Sequence, residues 1–327
     1  MKKVPAYSRP GDWADLDISG HDNIAYLAGG TEILPLLRAS IIEPDTVVDL
    51  NEVLSSAIEL RGDVLSIGAL ARLSDVASHE LVQQHAPAIR DALLASASGQ
   101  IRNMASVGGN LLQRTRCSYF RGDATLPCNK RQRGTGCPAS SGNNRHAAIF
   151  GTSDQCVAVH ASDLAVALSA LNAAVQLRAA DGAQRTVPLQ AFYTLPGNQP
   201  HVENVLRPRE VLVGIDVPLP DRRSTSKYVK VRDRASFDFA LVSAAVYMLT
   251  SGTRIERVAI SLGGVAPVPW RLHQVEARLQ GALLTPAAIE GAFAEFDLEA
   301  RPLGSTAWKI ALARALATRT ILSFGSA

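Results

Sequence analysis

The chain has 327 residues, 47% of them hydrophobic and 19% charged, a composition that belongs to a globular protein and excludes a disordered or fibrous one. At ~100 to 200 residues per domain, this length holds two or three domains, each with its own core. A formal net charge of +3 is too small for a global field to draw the molecule onto nucleic acid or membrane, so a charged partner has to be met locally.

Residues 1–13 combine two lysines with Pro5, Arg9, Pro10 and Asp12 where a secretory signal needs an apolar core, so no export signal is expected. Segment 23–27 is strand-like, Ala28-Gly29-Gly30 is a turn, and Thr31 is placed to cap a helix carrying Leu34, Leu36 and Leu37. A second strand at 46–50 closes a βαβ unit. A strand at 64–67 and a helix at 86–97 lead into a second glycine pair, Gly108-Gly109. Ser162 is placed to cap a helix at 163–171, and 174–178 reads as a strand turning at Asp181-Gly182. The apolar stretches 164–175 and 240–249 fall short of the ~18 to 20 residues that span a bilayer and read as a buried helix and a buried strand, so no membrane insertion is expected. VPLPDRRSTS, at 217–226, has the composition of an interdomain linker. Beyond it, strands are expected at 228–231, 241–249 and 255–262, with a turn at Ser251-Gly252. Helices follow from near His273, Thr285-Pro286 and Ser305. The division is then a βαβ lobe at 1–53, a second α+β lobe at 54–222, and a last domain of small sheet plus helices at 223–327.

Two loops share a design: Ala28-Gly29-Gly30-Thr31-Glu32 and Ser106-Val107-Gly108-Gly109-Asn110. Paired glycines let backbone N–H groups converge on an anion, so the two could grip a diphosphate from both sides, or each could be a tight turn. Neither has the spacing of a nicotinamide-binding or nucleotide-hydrolysing loop. All four cysteines, Cys117, Cys128, Cys137 and Cys156, fall in one 40-residue window without any C-x2-C pair. That disfavours a zinc ribbon and suits an iron-sulfur cluster, with disulfides as the alternative. Residues 101–150 hold eight Lys or Arg against one acid, Asp123. Such charge would offset an anionic cluster, meet an acidic partner, or simply be solvated; nucleic acid would also explain it, but Tyr119 and Phe120 are a poor stacking platform.

The runs AGGTEILPLL, IRNMASVGGNLLQRTRC and HASDLAVALSALNA resemble the FAD-binding medium subunit of the xanthine dehydrogenase, or molybdenum hydroxylase, family. CNKR, the following GC and GTSDQC are similar to the flavin subunit of bacterial periplasmic aromatic aldehyde oxidoreductases, which bears an additional [4Fe-4S] cluster. The likeness extends through VKVRDRASFDFALVSAAV; a proline usual before the serine of the H-x-S-D segment is Ala161 here. It implies a two-part FAD-binding domain of the PCMH/VAO type followed by a C-terminal domain with a three-stranded antiparallel sheet and helices, an α+β fold. It implies FAD contacts from Leu27, Ala28, Gly29, Gly30, Thr31 and Glu32 in one loop and from Ser106, Gly108, Gly109 and Asn110 in the other. Asp163 and Lys230 are implied beside the flavin, with Ile101, and less directly Tyr193, against its ring. Cys117, Cys128, Cys137 and Cys156 are implied as ligands of a [4Fe-4S] cluster in a loop at about 114–157, leaving His160 without a role.

The same resemblance implies an electron-transfer subunit without a catalytic acid or base of its own. Its partners would be a molybdenum-cofactor large subunit and a small subunit with two [2Fe-2S] clusters, and its electrons would pass through FAD to an external acceptor. Its compartment would be the periplasm, by co-export with a partner, or the cytoplasm. A flavin subunit of a hydroxybenzoyl-CoA-reductase type and a four-cysteine zinc module binding nucleic acid are the competing readings.

Overall fold

A computed structural model describes residues 4–16 and 23–325. The first sheet is parallel. It is built from β1 (Ala6–Ser8), β2 (Ile24–Leu27) and β3 (Thr46–Asp49) in the order β1-β3-β2, and helix Ile33–Arg38 makes the crossover between β2 and β3. Central β3 reads Thr-Val-Val-Asp and is buried along its whole length, as a strand paired on both edges and covered on its faces has to be.

The second sheet is antiparallel: β4 (Ile58–Arg61), β5 (Val64–Gly68), β6 (Ala174–Ala179), β7 (Gln184–Pro188) and β8 (Glu210–Pro218), in the order β4-β5-β8-β6-β7. Leu65, Ile67, Val175, Leu177 and Ile215 alternate along these strands and pack into one core with Ile89 and Leu93 of helix Pro87–Ala95. Every residue of helix Asp163–Ala170 is buried, because it lies between this sheet and a third one.

That third sheet, β9 (Thr225–Val231), β10 (Val242–Ser251), β11 (Arg254–Gly263) and β12 (Trp270–Arg271), is antiparallel in the order β12-β11-β10-β9. The three strands expected from sequence are its body, and the two-residue β12 is an addition at one edge. Helix Trp308–Leu322 lays Ala313, Leu316, Ala317, Thr320 and Ile321 on the sheet, a stripe at helical spacing.

Two local expectations are corrected. The expected linker at 217–226 shrinks to a short turn, because Val217 pairs with Leu65 inside β8 and Thr225 already pairs with Met248 in β9. Thr31 does not cap the first helix: the residue at its N-terminal boundary is Glu32, which makes no side-chain capping bond. The caps expected at Ser162 and Thr285 are present, accepting from the N–H of Ala165 at 3.0 Å and of Ala288 at 3.3 Å.

Lys309 is a charge inside the last core. Its Nζ, 1% exposed as a residue, donates to the carbonyls of His146, Ala147 and Gly264 at 3.1, 3.0 and 2.7 Å. It thereby fastens the end of the cysteine-bearing segment to the C-terminal helix. Burial, with a smaller push from Arg145, lowers its pKa from 10.5 to about 8. Below pH 8 the ammonium is charged in folded and unfolded chains alike. Between about 8 and 10.5 the unfolded chain still holds a proton that the folded one has released, so stability from this group rises with pH. Denaturant midpoints across that window should therefore rise for the native chain relative to Lys309→Met; parallel profiles for the two would refute a depressed Lys309.

Candidate cofactor site

The loop after β2 holds the first half of the site. A Cβ on Gly29 would stand 1.9 Å from the Met104 carbonyl oxygen, so only glycine lets the loop press against that backbone. Gly30 has φ +75°, the left-handed region that glycine reaches without strain. The backbone N–H groups of Gly29, Gly30, Thr31, Glu32 and Ile33 have no acceptor among the described residues. Five successive free donors form the kind of concavity that binds an anion.

The second loop is built differently. Gly108 N–H donates to Ala69 O at 2.9 Å, Asn110 N–H to Ser106 O at 2.8 Å, and Gly109 N–H to Ser106 Oγ at 3.2 Å, so its backbone donors are already spent. What it offers is side chains: the Ser106 hydroxyl, and Asn110, whose Oδ1 accepts from Ser162 Oγ at 2.6 Å while its Nδ2 has no partner among the described residues. A Cβ on Gly108 would meet Ala69 at 3.1 Å, whereas one on Gly109 would have only Ser106 Oγ, at 3.1 Å, within 4 Å. Gly109 is thus the open wall of a cradle. Arg72 ties the two loops together, donating to Met104 O at 2.5 Å and to Asn51 Oδ1 at 3.3 Å, while Asn51 Nδ2 donates to Ala28 O at 3.1 Å.

Two cavities meet at these loops. One, of ≈ 280 Å³, is lined by Leu27, Ala28, Gly29, Gly30, Ser106 and Gly108 together with Tyr26, Leu50, Leu54 and Leu212. The other, of ≈ 400 Å³, is lined by Ile101, Asn110, Asp163, Lys230, Phe237 and Phe239. Thr31, Glu32 and Gly109 line both. Two chambers joined at a row of free N–H donors suit a molecule with two ring systems joined by a diphosphate, and the donor set of this chain therefore fits FAD. All thirteen cofactor residues expected from sequence fall on these walls.

Asp163 and Lys230 do so as a pair. Lys230 Nζ stands 2.8 Å from Asp163 Oδ2, which also accepts from Ser96 Oγ at 2.8 Å, and Tyr228 OH donates to Oδ1. Burial, then the Asp163 charge, raises the Tyr228 pKa well above 10, so its proton stays in place. Glu32 is likewise occupied: its carboxylate pairs with Arg116 at 2.7 Å and with Arg121, and accepts from the Arg114 N–H at 3.0 Å. It contributes its backbone N–H to the donor row. Tyr193, expected at the flavin ring, is in neither chamber. Its hydroxyl donates to Leu111 O at 3.0 Å, and it packs edge-on to His160, whose pKa burial lowers to about 4, beside a separate cavity of ≈ 40 Å³. Arg72, Asn51, Ser96 and Tyr228 were missed from sequence, where no motif marks them, and Phe237 and Phe239 lie in the run VKVRDRASFDFALVSAAV without having been given a role.

The four cysteines are free thiols, Cys156 buried and the others half-buried. Burial raises the Cys117 thiol, with Cys128 and Cys137 near enough to add to it. Burial raises Cys156 to about 11 against a lowering pull from Lys130, with Cys137 and Cys117 contributing. The thiols thus feel one another, yet among the described residues no three His, Cys, Asp or Glu side chains stand close enough to hold a metal ion. Four thiols are the donor chemistry that iron and sulfide take.

Fold and site together define a flavoprotein with a two-lobed dinucleotide cleft and an appended sheet-and-helix domain. Residues 7–220 match the model of the FAD binding domain in molybdopterin dehydrogenase, and residues 227–324 that of the CO dehydrogenase flavoprotein C-terminal domain. The chain is 42% identical, over 88% of its length and 87% of the relative's, to the aldehyde oxidoreductase FAD-binding subunit PaoB of Escherichia coli. It is 28% identical to the glyceraldehyde dehydrogenase medium chain of Sulfolobus acidocaldarius, over 87% and 83% of the two chains. Its fold matches CO dehydrogenase from Oligotropha carboxidovorans with a TM-score of 0.75 at 22% identity, covering 98% and 97% of the two chains. The protein belongs to the FAD-binding subunits of the molybdopterin dehydrogenase family and is a subunit of an oxidoreductase.

Gly109→Val puts its side chain into the cradle, where the one close neighbour is Ser106 Oγ, and should weaken FAD binding by about tenfold or more, a loss of roughly 1.4 kcal/mol. Flavin absorbance after gel filtration, with an unchanged far-ultraviolet spectrum, is the measurement; full retention of FAD would remove Gly109 from the site. Gly29→Ala should instead destabilise the chain, because its Cβ meets backbone.

Proposed function

We propose that this chain is the FAD-binding, electron-transferring subunit of a molybdenum-containing aldehyde oxidoreductase, and that its four cysteines ligate a [4Fe-4S] cluster. The observation that carries the flavin part is the row of free N–H groups from Gly29 to Ile33 between two chambers. The 42% identity to an aldehyde oxidoreductase FAD-binding subunit supports the aldehyde class. FAD, when bound, supplies the exchange between single electrons and electron pairs. The chain's own part is to hold and shield: the first loop and the Ser106 and Asn110 side chains bind the diphosphate, Ile101 packs on the ring half, and the Asp163–Lys230 pair fixes the wall of that chamber.

The partners that follow are a large subunit with the molybdenum cofactor, where aldehyde is oxidised, and a small subunit with two [2Fe-2S] clusters that delivers electrons to this chain. An external acceptor then takes them away. The cluster reading is supported by four free thiols confined to one loop, together with the resemblance of CNKR and GTSDQC to cluster-bearing flavin subunits. Ligation as thiolates would reverse the raised thiol pKa values, as metal binding does whenever it displaces protons.

Anaerobically purified chain should contain about four iron atoms and four sulfides, the stoichiometry of a cubane. Cys128→Ser should lose them; stoichiometric zinc without sulfide would refute the cluster. The isolated chain should not oxidise aldehyde, whereas in the three-subunit complex aldehyde should bleach the flavin in rapid mixing. Turnover by the chain alone would refute the assigned role.

A further inference from the structure

The turn between β9 and β10 brings Arg234, Phe237, Asp238 and Phe239 to the wall of the larger chamber. Two features set it apart. Phe237 and Phe239 are 51% and 47% exposed although they line a cavity, which puts them at its mouth. Phe237 also has φ +52°, a backbone region that a bulky residue occupies only when its surroundings impose it. Those surroundings are visible: the Arg234 guanidinium donates to Phe237 O, and the Asp238 carboxylate accepts from the N–H of Asp233 at 3.2 Å and of Phe239 at 3.0 Å.

The turn is also anchored from outside, at both points on the cysteine-bearing segment. The Arg116 guanidinium lies 5.0 Å from the centre of the Phe239 ring while pairing with Glu32 of the first flavin loop at 2.7 Å. Arg145 makes two bonds to Asp233, at 2.8 and 3.1 Å. Arg116 adjoins Cys117, and Arg145 lies between Cys137 and Cys156. The Arg145 pair is half exposed and screened by solvent, so Arg116 is the stronger of the two anchors.

We propose that Phe237 and Phe239 form an aromatic cover that limits which electron acceptors reach the flavin, and that the four-cysteine loop holds this cover in place through Arg116. Arg116 is then a positioning residue, acting on the flavin chamber through Phe239. The proposal rests on the reading of the larger chamber as the flavin-ring half.

The test is the rate at which sulfite, a small nucleophile that adds to the flavin ring, bleaches the full chain loaded with FAD, with FAD content measured first. Phe237→Ala/Phe239→Ala should retain FAD and react several-fold faster than the native chain, and should gain more rate with bulky dye acceptors than with small ones. Arg116→Lys keeps the charge toward Glu32 but loses the flat guanidinium over the ring, so it should retain FAD and fall between the two. Equal sulfite rates in all three chains, each with full FAD, would overturn the cover. A fast double variant with a native-like Arg116→Lys would overturn the link to the cysteine loop. If the double variant instead leaves the assembled complex on gel filtration with its sulfite rate unchanged, the phenylalanines are a subunit contact and the proposal fails. Native chain that binds no FAD at all would remove the underlying reading and the proposal with it.

Discussion

The buried carboxylate of Asp163 is the constraint on which the molecule's arrangement turns. It stands at the start of the buried helix Asp163–Ala170 and accepts from Ser96, at the end of helix Pro87–Ala95, and from Tyr228 and Lys230 on β9. Tyr228 and Lys230 are two residues apart, so they face the same side of their strand. Lys230 and Arg232 both donate onward to Ala95 O, placing cations at the carbonyl end of that helix. One carboxylate thus joins the two family-matched regions at the wall of the larger chamber. Removing either charge would leave its partner buried and alone, at about 3–5 kcal/mol, a large share of the 5–15 kcal/mol by which domains are stable.

Around that anchor the two glycine pairs divide the work. Gly29 and Gly108 are glycines because backbone and Ala69 lie against them; Gly30 is one because of its left-handed φ. Of the four, Gly109 alone lines both chambers. The first loop supplies backbone donors, while the second spends its own on capping and on Ala69 and supplies side chains instead. A diphosphate between them would meet two kinds of donor, held at a fixed separation by Arg72 and Asn51.

The cations of the basic segment are all engaged, though not all neutralised. Each of its eight cations has a partner: Arg114 and Lys130 on Glu203, Arg116 and Arg121 on Glu32, and Arg145 on Asp233, while Arg102 and Arg131 donate to carbonyls and Arg133 meets His201. A long loop with four cysteines and little regular structure is therefore stitched to the flavin loops on one side and, through Lys309, to the last helix on the other. This is how a segment that would otherwise be entropically costly to order can hold a defined shape.

Much of this was legible in the sequence, because it depends on local chemistry. An apolar run and the turn residues Ser251-Gly252 marked the C-terminal strands, Ser162 and Thr285 announced their caps, and the two glycine pairs announced the loops that line both chambers. The cysteines announced themselves by confinement to one window. What sequence could not supply were relations between distant segments. That Asp163 meets Lys230, that Arg72 bridges Asn51 and Met104, that Tyr193 turns to Leu111 and away from the flavin chambers, and that Glu32 spends its carboxylate on arginines 82 to 89 residues away are consequences of packing. Local sequence decides which groups a turn or strand can present; which of them remain free for a ligand is decided only when the folded chain has satisfied the others.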